Sequence, residues 1–236
     1  MHLDRIDTLT FDVVGTLIDF ETGILEWCRP WLRQHGRRVD DESILAAFAE
    51  AEDELQRQQP TMAFTSMLPH IQGALAARWE VDSDESSALD FRDSIRDWPA
   101  FADAVAGLRT LAERYRLVAV TNADRWAFER MSHTLGHPFA ERVTCDEVGV
   151  NKPDPRVWSY VLEKLDAEAG QVLHCAQSRY HDLVSAQRFG LATAWIERRH
   201  GREGSGATPA SIEQFSPDLH VHDLVQLVER LQAPAA

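Results

Sequence analysis

Leu9-Thr10-Phe11-Asp12-Val13-Val14-Gly15-Thr16-Leu17 is the stretch on which the fold turns. An apolar run ends in one carboxylate, Asp12, and Gly15 then permits a sharp turn. That layout places an acid at the carboxyl end of a buried strand, where open α/β sheets gather their chemistry. Two residues beyond Asp12 stands Val14, which cannot exchange a proton.

Outward from this stretch, short apolar runs recur at Leu117–Thr121, Arg142–Cys145, Val172–Cys175 and Ala192–Ile196. With Leu9–Val14 they predict strands. Helical periodicity lies between them, over Phe101–Tyr115, Arg125–Leu135, Pro155–Leu165 and Asp182–Phe189. Gly190 reads as the stop of the last helix, and Asp154-Pro155 as an N-cap followed by proline at the first helical position. Alternation of strand and helix predicts a Rossmann-like, mainly parallel sheet covered on both faces.

From Glu21 to Asp97 the alternation stops and only helical spacing remains, as in Ile24, Leu25, Cys28, Trp31 and Leu32. The expected organisation is an α/β core from residues 1–18 and 98–236, with a helical cap over 19–97. Pro99 marks the return. An insert at this point would lie above the strand ends and close over Asp12 as a lid. Gly201–Ala210 reads as a flexible polar segment, and Ala233–Ala236 as a frayed end.

A chain of 236 residues can bury a sizeable core, and a hydrophobic fraction of 44% is ordinary for a soluble domain. The net charge of −14 argues against nucleic-acid partners and against anionic membrane surfaces. Cys28, Cys145 and Cys175 are widely spaced, without a C-x-x-C pair, and read as reduced thiols of a cytoplasmic protein. Residues 1–20 lack the pattern of a signal peptide, and no stretch approaches a membrane span.

Four strand-end segments hold polar groups that would converge: Asp12 and Thr16; Thr121 and Asn122; Lys152; and Gln177, Ser178 and Asp182. In this order, with the insert after the first, they resemble the four motifs of the haloacid dehalogenase superfamily over essentially the whole chain. The resemblance implies that Asp12 is the nucleophile, with Thr16 directing it. Thr121 and Asn122 would position the substrate, Lys152 would pair with Asp12, and Asp182 would anchor the fourth loop as orienter or base. A nearby ammonium favours the ionised carboxylate that attacks.

Phosphatases of that superfamily carry a second Asp two residues after the nucleophile, where this chain has Val14. Loss of such general acid–base help costs on the order of a hundredfold or more. Their fourth motif also begins with a Mg²⁺-binding acid, which here is Gln177, a neutral carbonyl donor. Halide needs neither proton nor metal to depart. The chain is therefore most similar to the L-2-haloacid dehalogenase branch, which also resembles it in Lys152-Pro153-Asp154-Pro155-Arg156-Val157. The resemblance implies a small anionic substrate, no cofactor or metal, and a homodimer formed through the cap. Another small acid or phosphate ester, or a binding protein without turnover, are the alternative readings.

The chain departs from that branch in four places. Arg179 replaces a small amide, Trp158 replaces a tyrosine, and Thr121 replaces a serine. The cap arginine that holds substrate carboxylate and halide is missing from Ile44–Glu52. Arg33, Arg37, Arg38 and Arg57 are candidate replacements, and Arg179 is preferred, because a buried carboxylate needs a cationic partner. Trp158, Gln177 and Ser178 complete the expected substrate-binding set. His181 reads as a structural histidine, Phe20, Trp27, Trp31 and Trp126 as core, and Glu50, Glu52, Asp53 and Glu54 as a solvated helix face.

Overall fold

The computed structural model describes residues 3–209 and 215–232. Ala210 and the expected frayed end, 233–236, lie outside the described residues. Among those described, one six-stranded sheet runs in the order β3-β2-β1-β4-β5-β6, with every neighbouring pair parallel. Its strands are β1 (Thr8–Phe11), β2 (Arg116–Thr121), β3 (Glu141–Thr144), β4 (Val172–Ala176), β5 (Ala192–Ile196) and β6 (Leu219–Val221). All four residues of β1 are buried, as a central parallel strand with both faces covered requires. The chain adds β2 on one side of β1 and β4 on the other, so the following loops diverge and leave a crevice at the end of β1. Asp12 stands at that point, its N–H on the carbonyl of Cys175 at 3.1 Å. The strand β6 lacks a sequence signal: three residues at a sheet edge, alternately buried and exposed, are too few for a periodicity.

The segment after β1 forms α1 (Phe20–Gln34), α2 (Asp41–Gln58), α3 (Phe64–Trp79) and α4 (Glu85–Asp93), followed by a short 3₁₀ turn at Ser94–Asp97. Local chemistry sets three of the starts. Asp19, Asp40 and Asp84 accept from the N–H groups of Thr22, Ser43 and Ser87 at 3.1, 2.9 and 2.8 Å. Departure and return are tied together where Asp19 N–H meets Pro99 O at 2.8 Å. Phe20, Ile24, Phe48, Phe91 and Trp98 are buried in a cluster continuous with Leu9 and Phe11 of the sheet.

The remaining helices are α5 (Ala104–Ala112), α6 (Arg125–Thr134), α7 (Cys145–Val148), α8 (Arg156–Leu165), α9 (Val184–Phe189) and α10 (Leu224–Gln232). Two expected starts are corrected. Pro155 is itself the N-cap of α8, and Asp154 accepts from the Arg156 N–H at 2.9 Å rather than capping a helix that begins at proline. The stretch Arg179–Leu183 is a π-helical turn, so α9 begins at Val184 and not at Asp182. The wider turn buries His181, Asp182 and Leu183 together, and turns of this kind often mark functional positions. Gly190 ends α9 in the left-handed region, φ 95°, as its sequence position suggests.

Of the segment expected to be loose, 201–205 are exposed, but Gly206 and Ala207 are buried. Ala207 is fully buried, its N–H donating to Glu21 Oε1 at 3.0 Å, and Arg199 Nη1 binds Glu21 Oε2 at 2.5 Å. Long-range partners on α1 override the composition of this segment. At Gly15 the chain turns with φ 85°, and a Cβ there would meet the Phe20 ring at 3.0 Å. Gly15→Ala is expected to cost about 1–3 kcal/mol in a urea unfolding titration, from backbone strain in the left-handed region. Unchanged stability would mean that the turn can relax.

Candidate active site

Lys152 arranges the site. It is 2% exposed, and its three N–H bonds are all used: Nζ lies 2.8 Å from Asp12 Oδ1, 2.6 Å from Asp182 Oδ1 and 2.9 Å from Val120 O. Its loop is held by Asn122, whose amide donates to Lys152 O at 3.0 Å and accepts from Lys152 N at 2.7 Å. Asn122 thus positions the lysine while also lining the recess. The other Asp12 oxygen accepts from Thr16 Oγ1 at 2.6 Å, and Thr16 in turn accepts from the N–H of Gln177 at 2.9 Å. Arg198 supports this turn from outside by donating to Thr16 O at 2.9 Å while bound to Asp103 at 2.8 Å.

Two carboxylates share one ammonium, so their acidities are split. For Asp182, burial alone would raise the pKa, but Lys152 and His174 outweigh it and hold it at about 2. Burial and the neighbouring Asp182 push Asp12 up from its ordinary value, against the opposing pull of Lys152 and Thr16. Lys152 is itself raised, because the two carboxylates outweigh its burial. A carboxylate held at about 2 is a weak proton acceptor, so Asp182 is better suited to orienting Lys152 than to acting as a base.

His174 gave no signal beyond a histidine within an apolar strand. It is fully buried, with Nε2 2.9 Å from Asp182 Oδ1 and Nδ1 2.9 Å from Thr10 Oγ1. Since a carboxylate only accepts, Nε2 carries a proton towards Asp182.

The recess over Asp12 is lined by Val14, Phe20, Phe64, Thr121, Asn122 and Ala123 among others. The expected residues Asp12, Lys152, Gln177, Ser178 and Asp182 also line it. Thr208, from the segment expected to be loose, completes one wall and accepts from Gln177 Nε2 at 2.6 Å. Thr121 borders the recess, its hydroxyl accepting from the N–H of Ala123 at 3.1 Å. Phe20 belongs to the lining as well as to the core.

Two expected substrate contacts are not brought to the recess. Trp158 is fully buried, packed 4.7 Å from the His174 ring and donating to Ser185 Oγ at 3.0 Å. Arg179 lies over the Trp195 ring at 5.7 Å and is not part of the lining. The other arginine candidates lie elsewhere. Arg37 binds the carbonyls of Trp79 and Glu80, Arg57 pairs with Asp53 and Glu54, and Arg33 and Arg38 line a separate recess beside Arg29. Among the described residues, no arginine lines the recess over Asp12.

What α2 contributes instead is Glu52, read from sequence as part of a solvated face. It is 6% exposed and lines the recess, and burial, then Asp53 and Asp12, push its carboxyl up to about 8. Glu52 Oε1 is 3.5 Å from Gln56 Nε2, while Gln56 Oε1 accepts from His181 Nε2 at 2.9 Å. His181 is held to about 4 by burial, with Lys152 adding to the effect, and so stays neutral at pH 7. It links α2 to the turn after β4, its own N–H resting on Ser178 Oγ at 3.0 Å. Further ties hold the helical segment after β1: Asn151 Nδ2 donates to Met62 O at 2.6 Å, and Phe64 N–H to Asn122 O at 3.2 Å.

The donor set is a poor one for a hard divalent cation of the kind that phosphatases of this fold use. At position 177 an amide tied to Thr208 stands where an acid is needed, and Val14 adds no side-chain oxygen. Asp182 Oδ1 is already shared between Lys152 and His174.

The model of the haloacid dehalogenase-like hydrolases matches residues 6–175. A 5-amino-6-(5-phospho-D-ribitylamino)uracil phosphatase of Escherichia coli (strain K12) is 27% identical over 213 residues, covering 84% of this chain and 87% of the relative. The (S)-2-haloacid dehalogenase 1 of Pseudomonas sp. (strain CBS-3) is 24% identical over 217 residues, covering 83% of this chain and 86% of the relative. Among solved structures, the L-2-haloacid dehalogenase PA0810 superposes with a TM-score of 0.77 at 25% identity, over 96% of this chain and 98% of the other. The L-2-haloacid dehalogenase from Xanthobacter autotrophicus with chloropropionic acid covalently bound has a TM-score of 0.80 at 19% identity, over 98% and 100% of the two chains, a likeness of fold. None of the helices described is long and apolar enough to cross a membrane.

Proposed function

The chain belongs to the haloacid dehalogenase-like hydrolases, and we propose that within this family it hydrolyses the carbon–halogen bond of a small 2-haloacid or a close derivative without a metal. One observation carries the reading: Asp12 is aimed by Thr16 and Lys152, while the neighbouring position 14 holds no proton-transferring group. A nucleophile so placed serves a leaving group that departs unprotonated.

An oxygen of Asp12 attacks the α-carbon in line, the carbon–halogen bond breaks with its electron pair, and an aspartyl ester forms. Water then attacks the Asp12 carboxyl carbon and leaves its oxygen there; one of its protons passes to the departing oxygen and the other to solvent, so the 2-hydroxy product leaves with the original aspartate oxygen and Asp12 returns as a carboxylate. Lys152 balances charge on Asp12 throughout, and Asp182 with His174 keeps the ammonium in place. Among the described residues the recess offers a substrate no arginine, and one of its lining residues is Glu52. Below about pH 8 that carboxyl offers one O–H donor and one acceptor. Such a pair suits a neutral carboxyl derivative, an amide above all, better than a carboxylate.

The test is turnover of 2-chloroacetate and 2-chloroacetamide in ¹⁸O-water with chelator present. Halide release should be accompanied by ¹⁸O in the peptide that contains Asp12, with the amide preferred. Asp12→Asn should lower the rate on the order of 10⁴-fold or more. Release of phosphate from esters, dependent on Mg²⁺, would overturn the reading. That second reading has one feature in its favour, because a protonated Glu52 could supply the proton that Val14 cannot. Tight binding of small acids without turnover would instead mark a binding protein.

A further inference from the structure

At the opposite side of β5 from the active-site strand β1, three histidines converge on one carboxylate. Glu197 follows β5, His200 lies three residues later in the same turn, and His220 and His222 come from β6 and the residue just beyond it. Glu197 Oε2 is 2.8 Å from His220 Nε2, 3.2 Å from His200 Nδ1 and 3.8 Å from His222 Nε2. The rings of His200 and His222 are stacked with centroids 3.5 Å apart. The ligand atoms of Glu197, His200 and His222 lie within 4.8 Å of one another. The backbone holds the group together: Glu197 N–H binds Val221 O at 2.8 Å, and His200 N–H binds Glu197 O at 3.0 Å.

We propose that Glu197, His200 and His222 form a binding site for a divalent transition metal, zinc by preference, separate from the site at Asp12. Two imidazoles and a carboxylate are a ligand set that suits zinc, and three protein ligands leave a fourth position for water. His220 is the outer partner. Its Nε2–H faces the same Glu197 oxygen, while its ring stacks on Trp195 at 4.3 Å, and a bond of this kind fixes a ligating carboxylate. Mg²⁺ and Ca²⁺, which favour all-oxygen sets, are the wrong cations for this group.

The position gives the metal a consequence. Its ligands come from the two ends of the excursion between β5 and β6, and that excursion carries Arg199, Ala207 and Thr208 to Glu21 and Gln177. A metal at its base would cross-link the two ends and hold Thr208 against the recess.

Chelator-treated full-length protein should bind Zn²⁺ with one-to-one stoichiometry in a calorimetric titration, and Co²⁺ should give the visible bands of a low-coordinate N/O site. Zinc should raise Tm by on the order of a few degrees and slow amide exchange over residues 198–209. His200→Ala and His222→Ala should each weaken binding at least about tenfold, and His220→Ala should weaken it less. Asp12→Asn should leave zinc binding unchanged. Absence of saturable binding, or binding unaffected by both histidine variants, would overturn the proposal. So would binding abolished by Asp12→Asn, which would place the ion at the catalytic recess.

Discussion

Lys152→Met is expected to abolish turnover and to destabilise the protein by about 3–5 kcal/mol at pH 7, the cost of leaving buried charge without its partner. Lys152 is the shared cation of Asp12 and Asp182, and all three groups are buried. The sign with pH follows from Asp182. Its pKa in the fold, about 2, lies below its ordinary value of 3.8. Its pairing therefore stabilises the protein fully above pH 4 and is lost as pH falls towards 2. The variant's deficit should accordingly be largest at neutral pH and shrink in acid, as read by urea unfolding between pH 3 and 7. Lys152→Met combined with Asp182→Asn should recover part of the stability and none of the activity, since one unpaired charge is removed while Asp12 still lacks its cation. Activity within tenfold of the parent, or an unchanged unfolding midpoint, would contradict the assignment of Lys152.

Glu52→Gln is expected to act in the opposite direction on stability. The carboxyl of Glu52 is raised from 4.5 to about 8 in the fold, first by burial and then by Asp53 and Asp12. A raised acid favours the folded state only when protonated. Relative to the amide, the acid therefore costs nothing below pH 4.5, progressively more as pH rises, and a constant amount above about 8. At pH 7 the amide should be more stable by on the order of 3 kcal/mol. Activity should follow the same titration. In the parent, ionisation of Glu52 places a second anion beside Asp12, and the rate should fall above about pH 8; the amide variant should keep its rate into the alkaline range. Equal stabilities at pH 5 and pH 8, with the alkaline fall retained, would remove Glu52 from the account. A buried acid that weakens the fold yet lines the recess fits the trade of stability for function seen at active sites.

The residues around Asp12 divide by how locally their roles are encoded. Asp12 and Thr16 follow β1 directly, Lys152 lies in the loop after α7 and Asp182 in the turn that follows β4, and the structure brings all of them within hydrogen-bond reach. Trp158 and Arg179 have the same sequence neighbourhood, but they turn to His174 and Trp195, because position beside a motif does not fix the direction of a side chain. Glu52 shows the converse. In an acidic helical run it looks like its exposed neighbours, and only the seating of α2 over Asp12 selects it for burial.

By itself the sequence determined the parallel α/β core, the helical segment after β1, the acid at the strand end and the absence of a proton-transferring partner at Val14. Those features rest on periodicity, turn chemistry and residue identity, which act over a few neighbouring positions. Tertiary structure alone decided the buried His174–Asp182–Lys152 chain, the wall formed by Thr208, the neutral Glu52 opposite the nucleophile and the histidine cluster at Glu197. Each joins residues distant in sequence, and their charges and contacts come from burial against partners that no local pattern names.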